Sequence, residues 1–472
     1  MADYVPGLEN CDIPKTSFTN LFFIFTPVQT YITIGDWLLL PVYLIFMLAI
    51  AIMYRGRLKD EQDKKFFMWG LWAKLVGGLA FALVYVYYYG GGDTTSYWHS
   101  AKCLINLAGE NFHAFWKLMT GSMDAEYLSA FNHNTGYPLY RHDPKAFAVN
   151  RFLVPFVFLG AKKFLVSTLV LDFLLYFVVF RFYRFLRHLY PQQQLICAIS
   201  VLFIPSVLFW SSGLFKDSLT FSFALLSVIS LYHLLIKPKH VLRYVLYLLF
   251  SAYIVLSIKP YIFFALLAAV LVWAIMQYTK NIKGAFLLFV LMPVLSMAVL
   301  VGGMFAFSQL SGAVGGYYSD VDAMAEQAVV IQDDLTRDYY GGNSFDIGDF
   351  EPTMGGMLSK FPQAVAAGLY RPYLWDSATV FMLLSGLENL VLLFLTLYIL
   401  LKIGPVKLFR QLGKDPYLVF CFAFAIILAF FIGLTTANFG ALVRYRIPML
   451  PFFVFALLKI YYVNRKLKKE KK

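Results

Sequence analysis

A chain of 472 residues that is 60% hydrophobic, 19% aromatic and only 14% charged, with mean hydropathy +0.67, is too apolar for a soluble globular protein; soluble domains are nearer half apolar and about a quarter charged. The formal net charge of +13 does not mark a nucleic-acid-binding surface, because Lys and Arg sit in short loops between apolar blocks and in the tail 465–472. The apolar residues fall in blocks of about 18–25, the length that crosses roughly 30 Å of hydrocarbon. The sequence therefore predicts an all-α integral membrane protein, one polytopic domain over 1–472 with no soluble module. Four cysteines are too few for a disulfide framework. No cleavable leader is expected, since the first residues are polar and acidic.

In chain order, the first crossing is expected over 36–54, followed by Arg55, Arg57, Lys59, Lys64 and Lys65. A second, 66–88, leads into a polar stretch, 90–150, whose aromatic runs suit short interfacial helices. The third, near 160–180, returns to Arg181, Arg184 and Arg187. Crossings 194–212 and 218–236 follow, joined by a short turn through Lys216 and Asp217. Residues 241–278 are apolar apart from Lys259 and Pro260, and at 1.5 Å per residue would span nearly twice the bilayer. They are read as two crossings split at that proline. Helix 284–308 comes next, then the acidic segment 309–376 with ten Asp and Glu, then crossings 377–401, 416–434 and 447–463. About eleven crossings, with the N-terminus outside and the C-terminus in the cytoplasm, put every basic cluster on one side and both large loops, 90–150 and 309–376, on the extracytoplasmic side.

Three pieces on that side carry chemistry. Gly90, Gly91 and Gly92 let the chain turn sharply at the membrane surface, and Asp93 follows, with Tyr97 one turn beyond it and His99 close by. The bland reading of Asp93 is a helix N-cap; the functional one is a carboxylate presented to a substrate. In the second piece, Arg444 and Arg446 sit on the side the positive-inside rule disfavours, just before Pro448 and Pro451. Lone outer arginines can be snorkelling anchors, yet a guanidinium there also suits a bidentate grip on phosphate. Two positions apart on a helix they face different ways, so only one is expected to enter a cavity. The third piece is Lys216 with Asp217, where Lys216 can add positive charge to an anionic headgroup site and Asp217 reads as a cap. Lys259, Arg371 and Asp376 are weaker candidates of the same kind. His99, His133 and His142 are not spaced as metal ligands, and neither a metal nor a cofactor is implied.

In this order and on this side, these pieces resemble the GT-C superfamily of membrane glycosyltransferases. Asp93, Tyr97 and Ala101 match the acidic residue, Tyr and Ala at four-residue steps in that family's first large outer loop. Arg444, Tyr445, Pro448 and Pro451 match its C-terminal Arg-Tyr-x-x-Pro-x-x-Pro pattern, and the stretch from Pro205 through Ser211 to Lys216 and Asp217 looks like a further family-type segment. The match covers the layout from the second crossing to the last, and about thirty residues of motif. The chain departs from the family in its extra first helix, in the lone Asp93 without an acidic neighbour, and in an acidic segment 309–376 with no family role. The resemblance implies a multi-pass protein of a bacterial inner membrane. It would transfer a sugar from a polyprenyl-phosphate donor to a glycan, lipid or protein acceptor, with Asp93 as base. Tyr97, His99, Lys216, Arg444 and Arg446 would bind substrate, among membrane lipids. A polymerase or ligase of polysaccharide repeat units would lean on outer arginines instead of an early carboxylate. A transporter would place paired ionisable residues mid-membrane, whereas Lys74, Asp172, Glu388 and His233 read as scattered and unpaired. A non-catalytic assembly protein would use none of these groups.

Overall fold

The computed structural model describes residues 31–278, 344–377 and 379–469. Among them the chain is helical throughout; its one extended pairing is a bridge between Ser344 and Asn438. In order the helices are α1 (Ile34–Gly56), α2 (Glu61–Leu83, prolonged by a wider turn over Val84–Tyr88), α3 (Asp93–Glu110), α4 (Phe112–Met119), α5 (Ala125–Leu128), α6 (Pro144–Leu159) and α7 (Phe164–Leu189). Then come α8 (Gln194–Leu202), α9 (Pro205–Trp210), α10 (Lys216–Leu231, prolonged over Tyr232–Ile236), α11 (Val241–Ile258) and α12 (Pro260–Tyr278). The last group is α13 (Met354–Ser359), α14 (Phe361–Tyr370), α15 (Val380–Ile403), α16 (Pro405–Lys414), α17 (Pro416–Thr435), α18 (Phe439–Tyr445) and α19 (Leu450–Lys469).

Eight of these helices are long and apolar enough to cross a membrane, and nine spans result if α18 and α19, bent by 70° at their junction, count as one. The expected crossing 284–308 lies outside the described residues. The expected crossing 194–212 is not one helix: it breaks into α8 and α9 at Phe203 and Ile204. Pro205 has no N–H to donate and disfavours helical backbone at the residue before it, so the chain restarts there. The split at Pro260 is present, with α11 ending at Ile258 and α12 beginning at Pro260.

Local polar chemistry sets where the helices begin. Asp36 accepts from the Thr33 N–H (2.9 Å) and hydroxyl (2.8 Å) at the start of α1, and from the Leu165 N–H (2.9 Å) at the start of α7, so one buried carboxylate ties two helix entries together. At the opposite end of that pair Asp60 caps α2 and meets Arg187 at 2.6 Å, while Asp63 pairs with both Arg187 and Arg184. A third tie joins Asp415, Lys459 and Tyr190, with the Tyr190 hydroxyl donating to Asp415 at 2.8 Å.

The described part of the acidic segment is more than a loop. Its helix α14 packs along the last turns of α17, where glycine stands on both sides of the contact: a methyl at Gly368 would collide with the Ala429 carbonyl, and one at Gly433 with the Ala364 carbonyl. Phe345 lies against Phe439 (ring centroids 5.3 Å apart), so the segment is also pinned to the start of α18. Gly433→Ala is expected to destabilise the protein by about 1–3 kcal/mol, the usual cost of overpacking a tight contact. Gly109→Ala, where nothing lies within 4 Å, should leave the thermal midpoint in detergent unchanged or raised. Equal midpoints for the two variants would show that α14 and α17 are not in backbone contact.

A charged cavity as the candidate functional site

Three segments far apart in the chain meet at one end of the bundle. The first leaves α2 through Gly90, Gly91 and Gly92, with φ of +69°, +123° and +135°. Those values lie in the region only glycine enters freely, and they swing the chain round so that α3 begins at Asp93. Thr95, not Asp93, closes the first turn: its hydroxyl accepts from the Gly92 N–H (3.0 Å) and donates to the Gly92 carbonyl (2.9 Å). The Asp93 carboxylate is thereby released from capping. It accepts from the Tyr140 hydroxyl at 3.0 Å and stands 3.6 Å from Lys216 Nζ and 3.4 Å from Arg444 Nη2.

The second segment is the start of α10. Lys216 and Asp217 are neighbours in sequence but point to different partners. Asp217, 3% exposed at its side chain, pairs with Lys259 and lies 3.6 Å from Arg444 Nε. Lys259 sits in the break between α11 and α12, 4.1 Å from the centre of the Tyr445 ring. The third segment, α18, supplies Arg444, whose guanidinium bridges Asp93 through Nη2 and Asp217 through Nε and covers the Phe215 ring at 4.4 Å.

Beside this cluster lies a cavity of about 260 Å³ lined by Asp93, Tyr97, Tyr140, Lys145, Lys216 and Lys259 among others. The Tyr97 and Tyr140 rings stand 5.0 Å apart and form an aromatic wall. Two carboxylates (Asp93, Asp217) against three cations (Lys216, Lys259, Arg444) leave one net positive charge, so the cluster favours an anion. Burial raises the Asp93 carboxyl, but Lys216, Arg444 and the Tyr140 hydroxyl outweigh it and hold the group below its ordinary value of 3.8. Burial, with the Asp93 charge beside it, pushes the Tyr140 phenol up to about 12, so it remains a donor to Asp93. Burial likewise lowers the Lys145 ammonium, against the pull of Asp143.

Of the residues singled out from sequence, Asp93, Tyr97, Lys216 and Arg444 come together. His99 does not line the cavity; its ring contacts the Tyr137 carbonyl (3.2 Å) and the Cys103 thiol (3.5 Å). Arg446, the residue that ends α18, is fully buried away from the cluster, its Nη1 donating to the Arg371 carbonyl at 3.1 Å. Asp217 is not the cap expected of it, since α10 starts after Phe215 with no side-chain capping bond; it meets Lys259 and Arg444 instead. Lys259, Tyr140 and Lys145 enter from segments that sequence reading ranked low or passed over. The one signal for Lys259 was its place at the helix break. The ionisable residues inside the apolar blocks are also not scattered: Lys74 pairs with Asp172 at 3.5 Å, Glu388 accepts from the Ser206 N–H and hydroxyl, and the His233 ring lies on Tyr244 at 4.2 Å. Among the described residues no three His, Cys, Asp or Glu stand close enough together to hold a metal ion.

Fold and site define a polytopic helical membrane protein with a cationic, aromatic-walled cavity at one end of its bundle. Comparison with known proteins returns no matching family model, no matching curated sequence and no matching solved structure. The site's own geometry therefore carries the functional reading. Because the buried Asp217 is the counter-ion of the buried Lys259 and the partly buried Arg444, Asp217→Asn is expected to cost about 3–5 kcal/mol, as for a buried pair that loses one partner. Asp93, with its side chain 34% exposed, is cushioned by solvent, and Asp93→Asn should cost clearly less. Thermal unfolding of the two variants in detergent measures both, and the reverse order would mean the cluster is centred on Asp93.

Proposed function

We propose that the protein is a glycosyltransferase that takes a sugar from a polyprenyl-phosphate carrier and passes it to a hydroxyl acceptor. The site would open to the extracytoplasmic face of a bacterial inner membrane, with the C-terminus in the cytoplasm. One observation carries this reading: a carboxylate and two phosphate-type cations, Asp93, Lys216 and Arg444, converge beside one cavity although Arg444 and Asp93 lie 351 positions apart. On this reading Asp93 accepts the proton of the acceptor hydroxyl as that oxygen attacks the anomeric carbon. The bond between that carbon and the phosphate oxygen breaks on the opposite face, so configuration inverts. The electron pair leaves on the carrier phosphate, whose growing charge Lys216 and Arg444 neutralise. A phosphodiester carries one negative charge, which complements the single net positive charge of the cluster.

The ion pairs of the site have a kinetic consequence. Lys216 and Arg444 lower the basicity of Asp93 while they face it alone. A donor phosphate draws on the same two cations, so Asp93 becomes a stronger base once the donor is seated. The Tyr97–Tyr140 wall is placed to face the sugar ring.

Transfer from a polyprenyl-phosphate sugar by purified, reconstituted protein is the test. Asp93→Asn should lower turnover by about 10²–10⁴-fold, the contribution of a positioned base, with donor affinity retained. Arg444→Lys should weaken donor binding strongly, because an ammonium cannot reach two partners as the fork does. Arg446→Lys, away from the cavity, should leave the donor affinity of folded protein unchanged. Full turnover in Asp93→Asn would remove the carboxylate from the reaction.

The pH dependence follows from the depressed carboxyl. A group held below 3.8 is ionised at all higher pH and is lost only as pH falls through its lowered value. At limiting donor, kcat/KM should therefore stay flat from about pH 7 down to about pH 5. A loss of rate centred near pH 6 would contradict a carboxylate held in this way.

A further inference from the structure

The structure assigns Lys74 and Asp172, which touch neither the cavity nor the charged cluster, the role of positioning residues: together they clasp the turn 211–213 and so set where Lys216 and Asp217 stand. Only the use made of the cavity rests on the function proposed above; the clasp itself does not.

Lys74 lies midway along α2 and is 3% exposed, and Asp172 on α7 is fully buried. Their ion pair spans 3.5 Å, but the other bonds of both run to one turn. Lys74 Nζ donates to the Ser211 carbonyl and, at 3.0 Å, to the Ser211 hydroxyl. Both Asp172 oxygens accept from the Gly213 N–H at 3.2 Å. From the far side the Ser218 hydroxyl, in the first turn of α10, donates to the Gly213 carbonyl at 2.6 Å. The turn is thus held on both faces, and it needs holding, since Gly213 takes a φ of +83°. Two residues further on, Phe215 is fully buried beneath Arg444, and Lys216 and Asp217 then reach Asp93 and Lys259.

The packing around the pair has been cleared of side chains to admit it. A methyl at Gly78 would strike the Asp172 carboxylate, one at Gly77 would lie 2.6 Å from the Leu208 carbonyl, and one at Gly213 would strike Phe81. Two charges within a helical bundle are costly, and an apolar pair of similar volume is often no less stable. Filling and cohesion alone therefore do not call for Lys and Asp here. Directed bonds to the Ser211 carbonyl and the Gly213 N–H do, because no apolar side chain can make them.

That difference supplies the test. The double variant Lys74→Met with Asp172→Leu replaces the charged pair by apolar volume. It should unfold at or above the wild-type temperature if it packs, while the turn loses its bonds. With Lys216→Cys added as a reporter, its alkylation rate by a methanethiosulfonate reagent in detergent should shift about fivefold or more relative to Lys216→Cys alone. In chains that keep Lys216, kcat/KM for transfer should fall by about 10–100-fold, the cost of a displacement near 1 Å. Asp172→Asn, which keeps an oxygen facing the Gly213 N–H, should preserve the reporter's rate, whereas Asp172→Leu alone should not. This second comparison decides the matter if the double variant fails to fold. Reporter rates within twofold across all variants would overturn the positioning role. Alkylation needs no sugar transfer, so a wild-type protein that transfers nothing would refute the proposed function and leave the clasp to be judged on its own.

Discussion

One buried carboxylate, Asp217, governs the site end of the molecule. A charge so enclosed is tolerated only with close counter-ions. Asp217 has two cations, Lys259 from the break between α11 and α12 and Arg444 from α18. Because they arrive from different helices, satisfying one charge fixes the relative placement of three chain segments. Arg444 then has an Nη2 to spare and extends the network to Asp93. Asp93, half-buried at the cavity, is thus tied through Arg444 to the buried Asp217 and Lys259. A cavity at the edge of a membrane bundle acquires fixed walls in this way.

Glycine plays the complementary part. Where α2 meets α7 and α9, and where α14 meets α17, the absence of side chains at Gly77, Gly78, Gly368 and Gly433 lets backbones or buried carboxylates approach within contact distance. Small residues are the usual means of helix association in lipid, where hydrophobic burial between helices supplies little drive. Here they also admit polar groups to the interior. Asp172 could not lie against α2 beside Lys74 if Gly78 carried a methyl. Close packing and buried pairing are therefore two aspects of one arrangement, which sets the turn leading into Lys216.

The electrostatics of the site bear on the proposed reaction. The cations suited to a departing phosphate are the same ones that now hold the Asp93 carboxyl low. In the proposed reaction donor and base would share them, so occupancy of one position would change the chemistry of the other without any movement of helices. The Tyr140 hydroxyl remains on Asp93 throughout, since its own proton is held by burial and by the neighbouring carboxylate.

Hydropathy alone determined the class of protein, because crossing hydrocarbon demands about twenty apolar residues in a row, and helices of that kind recur along the chain. Composition also marked the break at Pro260 and the glycine turn before Asp93, since both are local backbone effects. It missed the break before Pro205, where an unbroken apolar run hid a residue without an N–H. Asp93, Tyr97, Lys216 and Arg444 were legible as polar exceptions on one side of an apolar chain. Which arginine joins the charged cluster was not, because Arg444 and Arg446 are two positions apart and differ only in the direction the end of α18 gives them. Nor was the pairing of Lys74 with Asp172, or of Asp217 with Lys259. Partners so distant in sequence are brought together by helix packing, and packing is decided by surfaces of several helices at once, which no single stretch of sequence contains.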